Sequence, residues 1–128
     1  FSKQIDFLML FPASSIGLLS TGVLNLNNMR DIESDKRSKK HTLAGYFGFK
    51  MAKLYHQLLV GVAILLIIIY LVLDLNNSTY LILIAFVPLL FHMNTVRKIK
   101  TPVEFDSQLK VLALSTVALA LLFCASII

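Results

Sequence analysis

Leu54-Tyr55-His56-Gln57-Leu58-Leu59-Val60-Gly61-Val62-Ala63-Ile64-Leu65-Leu66-Ile67-Ile68-Ile69-Tyr70-Leu71-Val72-Leu73 contains no charged side chain. A helix of about 17–25 apolar residues covers the ~30 Å hydrocarbon layer of a membrane. Inside lipid every backbone amide must be paired within its own segment, so a stretch of this kind is a helix. The β-branched run from Ile64 to Ile69 resembles a buried strand in composition, but its length and unbroken apolar flanks favour helix.

Working outward, three more uncharged stretches have spanning length: Phe7 to Met29, Leu75 to Val96 and Val111 to Ile128. The expected fold is an all-α polytopic transmembrane bundle, one membrane domain over residues 1–128. Its spans are set at 7–29, 54–73, 75–96 and 107–128, with a charged loop over 30–53. Asn76-Asn77-Ser78-Thr79 reads as a polar turn between the second and third spans. It also matches a glycosylation triplet, which so short a loop disfavours. Thr101-Pro102-Val103-Glu104 reads as a capping box that starts the last helix. Pro12 and Pro88 fall inside spans, and a kink is expected near Pro88.

Composition agrees. Of 128 residues, 57% are hydrophobic and 15% charged, and mean hydropathy is +0.78. Intrinsic disorder is excluded, as are a disulfide-rich module and a multi-cysteine zinc site, because Cys124 is the single cysteine. The net charge of +5 does not point to nucleic acid, since little of the chain is left in water. Eleven of the twelve basic residues fall in the segments 30–53 and 97–110, which share one side of the membrane if all four helices cross. Lys3 alone falls on the other. The positive-inside rule then makes the 30–53 face cytoplasmic. The chain begins at Phe1 without a charged n-region, which predicts no signal peptide and a start inside a longer protein.

The chemistry is concentrated in Asn25-Leu26-Asn27-Asn28-Met29-Arg30-Asp31-Ile32-Glu33-Ser34-Asp35-Lys36-Arg37-Ser38-Lys39-Lys40-His41-Thr42. If the first helix continues, Asn27, Asp31 and Asp35 form one oxygen-bearing stripe, with Glu33 pointing the other way. Two carboxylates one turn apart repel unless a cation lies between them. Hard oxygens suit Mg²⁺ or Ca²⁺, and the adjoining Arg30, Lys36, Arg37, Lys39 and Lys40 suit phosphate oxygens. Spacing alone leaves two readings open: a metal–phosphate site, or a solvated loop whose acids and bases pair at the surface.

Asn27-Asn28-Met29-Arg30-Asp31-Ile32-Glu33-Ser34-Asp35, followed by Lys40-His41-Thr42-Leu43-Ala44, resembles the second aspartate-rich motif of UbiA-type membrane prenyltransferases. Within that superfamily it is most similar to the branch that prenylates 1,4-dihydroxy-2-naphthoate on the way to menaquinone. Pro102 to Lys110 resembles the entry to that family's last helix. The specific part is short, although the resemblance runs along essentially the whole chain. Lys39 departs from the family pattern, which has Gly there. The family also carries two aspartate-rich motifs on opposing halves of a nine-helix bundle, and only the second is present.

The resemblance therefore implies the C-terminal four helices of a bacterial inner-membrane enzyme, half a site, with the N-terminal half as its partner. It implies Mg²⁺ held by Asp31 and Asp35 with Asn27 beside them. A polyprenyl diphosphate would be held by Arg30, Lys36, Lys40 and Asn28, and an aromatic acceptor would attack the allylic cation. The fragment alone is expected to be inactive. Two rivals are a UbiA-type relative with another aromatic acceptor and a non-enzymatic four-helix membrane subunit.

Elsewhere, His56 and His92 lie in spans without a neighbouring His at ligand spacing and read as bundle-facing, with Asn94 near His92 on the same polar surface. Tyr55 and Tyr80 read as interfacial residues, Tyr70, Phe86 and Phe91 as packing or lipid contacts, Cys124 as inert and His41 as solvated. Phosphate-cradling Gly-rich loops, His-Glu-x-x-His and Gly-x-Ser-x-Gly do not occur, which argues against ATPase, zinc protease and α/β-hydrolase chemistry.

Overall fold

The computed structural model describes residues 6–74 and 77–128. Four helices are long and apolar enough to cross a membrane: Phe7–Arg30, Phe49–Leu73, Tyr80–Lys98 and Pro102–Ile127. Within them lie the α-helices α1 (Leu10–Arg30), α4 (Phe49–Leu73), α5 (Phe86–Lys98) and α6 (Phe105–Ile127). Two short helices, α2 (Ile32–Arg37) and α3 (Leu43–Phe47), occupy the charged loop. The fold is an all-α polytopic membrane bundle. Lys3, Leu75 and Asn76 lie outside the described residues, so the opposite-side placement of Lys3 and the start of the polar turn do too.

The prolines explain where the α-helices begin. Pro12 and Pro88 are each the third residue of an α-helix, and each helix follows a 3-10 segment, Phe7–Met9 before α1 and Asn77–Ala85 before α5. Proline has no N–H to offer the carbonyls of the preceding turn, and the change from 3-10 to α winding falls just before it in both helices. Near Pro88, where a kink is expected, the helix type changes at Ala85–Phe86. The tighter winding has a use. Tyr80–Ala85 as 3-10 helix and α5 as α-helix together span about 31 Å, enough for the hydrocarbon layer. Pro102 likewise opens a 3-10 turn (Pro102–Glu104) ahead of α6. There Glu104 Oε2 accepts from the Thr101 N–H at 2.8 Å, the Thr101 hydroxyl at 2.7 Å and the Lys100 N–H at 3.1 Å.

Helix α1 packs along α4 and α6, and α5 closes the bundle against α4 and α6. Leu19, Leu26, Met29, Val60, Ile67, Leu89, Leu112 and Leu119 form its core. Small residues bring the backbones close, as is usual between helices in lipid. The Ser15 hydroxyl donates to Ala63 O at 2.8 Å and Asn25 Nδ2 to Ala52 O at 3.1 Å, both between α1 and α4. Gln57 Nε2 donates to Met93 O at 2.9 Å between α4 and α5. Lys53 Nζ donates to Arg97 O at 3.0 Å and to Ile99 O, placing a cation at the negative end of α5. Only 17% to 39% of each spanning window is buried among the four helices. The outward faces, with Leu24, Leu58, Leu65, Leu114 and Leu121 exposed, keep the apolar surface that a lipid environment requires.

Candidate active site

The site grows from the end of α1. Asp31 leaves the helical region with φ −96° and ψ 13°, which separates α1 from α2. The hydrogen-bond ladder nevertheless runs through: Asp31 N–H donates to Asn27 O at 3.0 Å and Asp35 N–H to Asp31 O at 2.8 Å. Asn27, Asp31 and Asp35 therefore share one helical face, while Glu33 is exposed on another. Half-buried Asn28 adjoins Asn27, about 100° further round the helix.

Arg30 organises the upper part of that face. Its Nε donates to Asp31 Oδ1 at 3.0 Å, its Nη2 to Asn27 Oδ1 at 2.8 Å and to Asp31 Oδ2 at 3.3 Å. The remaining arm, Nη1, reaches Asp106 Oδ1 on α6 at 3.0 Å. The Arg30 hydrogen bonds hold the Asp31 carboxyl below its ordinary range, against partial burial that pushes it up. Asp106, which adjoins the candidate site through Arg30, is not found by local sequence reasoning. It stands in the Pro102–Lys110 stretch, but nothing in its spacing ties it to Arg30.

The lower part is shaped by the end of α2. Lys40 N–H donates to Asp35 O at 2.8 Å and Lys39 N–H to Lys36 O at 3.1 Å, the paired bonds of a Schellman cap. That cap needs a left-handed residue after the helix, and Lys39 supplies it with φ +55°. The backbone thus adopts at Lys39 the conformation that Gly takes freely. The reversal brings Lys40 Nζ to 3.9 Å from Asp35 Oδ1. The Asp35 side chain is 14% exposed, and its Oδ2 has no hydrogen-bond partner among the described residues. Lys36, Lys39, Lys40 and His41 then line a cleft of about 400 Å³ with Thr42, Gly45 and Tyr46. Thr42 caps α3 by accepting the Gly45 N–H at 3.1 Å.

Of the expected site residues, Asn27, Arg30 and Asp31 meet directly, Asp35 meets Lys40, and Lys36 joins Lys40 at the cleft. Among the described residues no group of three His, Cys, Asp or Glu side chains forms a metal cluster. Two carboxylates and one amide oxygen on a single face are hard donors, and the buried Asp35 Oδ2 lacks a partner among the described residues, so the donor types fit Mg²⁺, with Arg30 occupying Asn27 Oδ1 and both Asp31 oxygens in this arrangement.

A second polar cluster lies in the bundle. His56 and His92, 36 positions apart and on different helices, meet with Nε2 to Nε2 at 2.8 Å. His92 Nδ1 lies 2.8 Å from Gln108 Oε1 on α6. Gly22 of α1 closes the fourth side, where a Cβ would stand 3.5 Å from His56 Cε1 and 3.3 Å from Leu112 Cδ2. The two histidines are bundle-facing and each is the other's partner. Tyr70 is buried against Phe123, Phe91 is exposed to the outside, and Cys124 is exposed on α6.

The chain is similar to 1,4-dihydroxy-2-naphthoate octaprenyltransferases. The Haemophilus influenzae protein is 37% identical over 89 residues, covering 70% of this chain and 29% of that protein. The Escherichia coli protein is 47% identical over 51 residues, 40% of this chain and 17% of that protein. The Mycobacterium leprae protein is 40% identical over 67 residues, 52% of this chain and 23% of that protein. The chain spans less than a third of the length of these curated relatives. No solved structure matches it. The model of the UbiA prenyltransferase family matches residues 1–116, nearly the whole chain, and the chain belongs to that family.

Proposed function

We propose that this chain supplies one aspartate-bearing half of the active site of a Mg²⁺-dependent aromatic prenyltransferase. The observation that carries this reading is the shared face of Asn27, Asp31 and Asp35, with the Asp35 Oδ2 unpartnered beside Lys40. Asn27, Asp31 and Asp35 would hold the metal. When bound, Mg²⁺ supplies positive charge against the charge that gathers on a departing diphosphate.

The donor is a polyprenyl diphosphate. Its allylic C–O bond breaks, and the electron pair leaves with the diphosphate. Lys36 and Lys40, at the cleft, donate N–H to its oxygens, as does Arg30 after exchanging part of its carboxylate bonding, with Asn28 beside them. Such prepositioned cations stabilise charge where it develops. The ring of the acceptor attacks the allylic cation and a C–C bond forms. With a 1,4-dihydroxy-2-naphthoate acceptor, the carboxylate leaves as CO₂ and its bonding pair restores the ring. The named relatives favour that acceptor over a benzoate or homogentisate. The apolar spans exclude water from the cation.

The complete enzyme would include a second aspartate motif on helices beyond this chain, and the chain alone would be inactive. It would sit in a bacterial inner membrane with residues 30–53 on the cytoplasmic side, as the clustering of basic residues supports. The test uses membranes carrying the complete protein, a labelled polyprenyl diphosphate and candidate aromatic acids. Turnover is expected with 1,4-dihydroxy-2-naphthoate, to require Mg²⁺ and to disappear in Asp31→Asn and Asp35→Asn. Parental turnover in either variant would refute the assignment.

A further inference from the structure

Arg30 is the last residue of α1 and Asp106 the second of α6, so the bond between them joins two helix ends. Asp106 is held in place by the fold. Its neighbour Phe105 is fully buried, with its ring 5.6 Å from that of Phe49. The contacts of the Arg30 guanidinium are divided by atom. Nε and Nη2 serve Asp31 and Asn27, while Nη1 serves Asp106. The first set can break while the last stays.

A divalent cation that takes Asn27 Oδ1 and the Asp31 oxygens must displace Nε and Nη2, because two positive charges at one set of lone pairs repel. Asp35 stands outside this competition, since its Oδ2 has no hydrogen-bond partner among the described residues. The displaced guanidinium still needs an acceptor. Its side chain is only 31% exposed, and a charged donor left without a partner there is costly. Asp106 meets that need.

We propose that Asp106 is a positioning residue that holds Arg30 aside when a divalent cation takes the Asn27–Asp31–Asp35 face, a role that rests on that face being the metal site. Arg30 pivots on its Nη1–Asp106 bond, and the Nε and Nη2 donors, released from Asp31 and Asn27, turn to the diphosphate oxygens. With Arg30 on both acids its charge is shared between Asp31 and Asp106. Once displaced, it depends on Asp106 alone. Loss of Asp106 therefore costs more in the second arrangement and opposes metal binding.

The test titrates the complete protein in detergent with Mn²⁺ alone and follows free Mn²⁺ by electron paramagnetic resonance. Asp35→Asn marks the share of binding that belongs to this face. Arg30→Met, which removes the competitor, is expected to tighten that binding about tenfold, the scale of a charged hydrogen bond. Arg30→Gln keeps a polar side chain and should do the same, which guards against misfolding of the first variant. Asp106→Asn, at a side chain 68% exposed, should keep the fold and weaken binding by up to about fivefold. In the Arg30→Met background Asp106→Asn should change affinity by less than about twofold, since only a screened surface charge is then lost. Equal weakening by Asp106→Asn in both backgrounds overturns the proposal, because Asp106 would then act by its charge and not through Arg30. Unchanged affinity in both Arg30→Met and Arg30→Gln overturns it too, and in either case the metal face stands. Undiminished Mn²⁺ binding in Asp35→Asn, or none in the parent, removes the metal face and this role with it.

Discussion

His56 and His92 meet Nε2 to Nε2 at 2.8 Å, so one ring must donate and the other accept. Gln108 decides which. Its Oε1, 2.8 Å from His92 Nδ1, accepts, so His92 carries its proton on Nδ1 and presents a lone pair at Nε2. His56 therefore donates from Nε2, and its Nδ1 is left as an acceptor without a partner among the described residues, facing Gly22. The chain joins α4, α5 and α6 in one direction.

Breaking this chain should show coupling. His56→Phe removes the donor and strands the His92 Nε2 lone pair, and His92→Phe strands both neighbours. Each should lower stability by about 1–3 kcal/mol, the cost of an unsatisfied buried group. In a double-mutant cycle the pair should show a coupling of about 0.6–1.7 kcal/mol, as hydrogen bonds between helices in lipid do. Denaturation of the complete protein in detergent micelles gives the four free energies. Strict additivity would mean that the rings touch without bonding.

Lys39→Gly should stabilise the cap of α2. The left-handed strain of a lysine is removed, while the glycine costs some unfolded-state entropy in return, leaving a gain of up to about 1 kcal/mol. A rise in thermal midpoint is the expected readout. A fall would mean that Lys39 makes a stabilising contact that outweighs its strain.

The four crossings are legible in the sequence because each is long, apolar and free of charge, and eleven of the twelve basic residues independently fall in the two segments that would share one side. Asn27, Asp31 and Asp35 share a face because helical spacing survives the break at Asp31. Other features depend on contacts between distant residues. Arg30 and Asp106 are 76 positions apart, and no local pattern marks the pair. The histidine pair has a faint signal. His56 lies just inside Lys53 and His92 just inside Arg97, so antiparallel spans set them at one depth. The 3-10 start of the third crossing is hidden because tighter winding leaves the apolar count unchanged.

Glu104 ties together the turn before α6 by accepting three hydrogen bonds from Lys100 and Thr101. Glu104→Ala should destabilise the start of α6, as the loss of a cap does. Asp106 lies two residues further on, so the loss should also loosen the Arg30–Asp106 bond. Hydrogen exchange at the amides of Lys100 and Thr101 should speed up in this variant. Unchanged exchange at both would show that water satisfies them equally well.

The Arg30–Asp31 pair should show itself in a titration. Hydrogen bonds from Arg30 hold the folded Asp31 carboxyl below its ordinary value of 3.8. A group whose pKa is lowered by folding stabilises the fold above its unfolded pKa, and that contribution is lost as pH falls through the lowered folded value. Stability should therefore decline on acidification below about pH 4, and this share of the decline should vanish in Arg30→Met. In that variant the Asp31 carboxyl, freed from its donor, should titrate at higher pH than in the parent. Asp106→Asn should act in the opposite sense or not at all, since it removes the competitor for the Arg30 guanidinium. Carboxyl carbon shifts of Asp-labelled protein, followed from pH 6 downward, read the midpoint directly. An Asp31 midpoint that does not move in Arg30→Met would show that burial and the remaining cations, not this guanidinium, set the charge on that carboxylate.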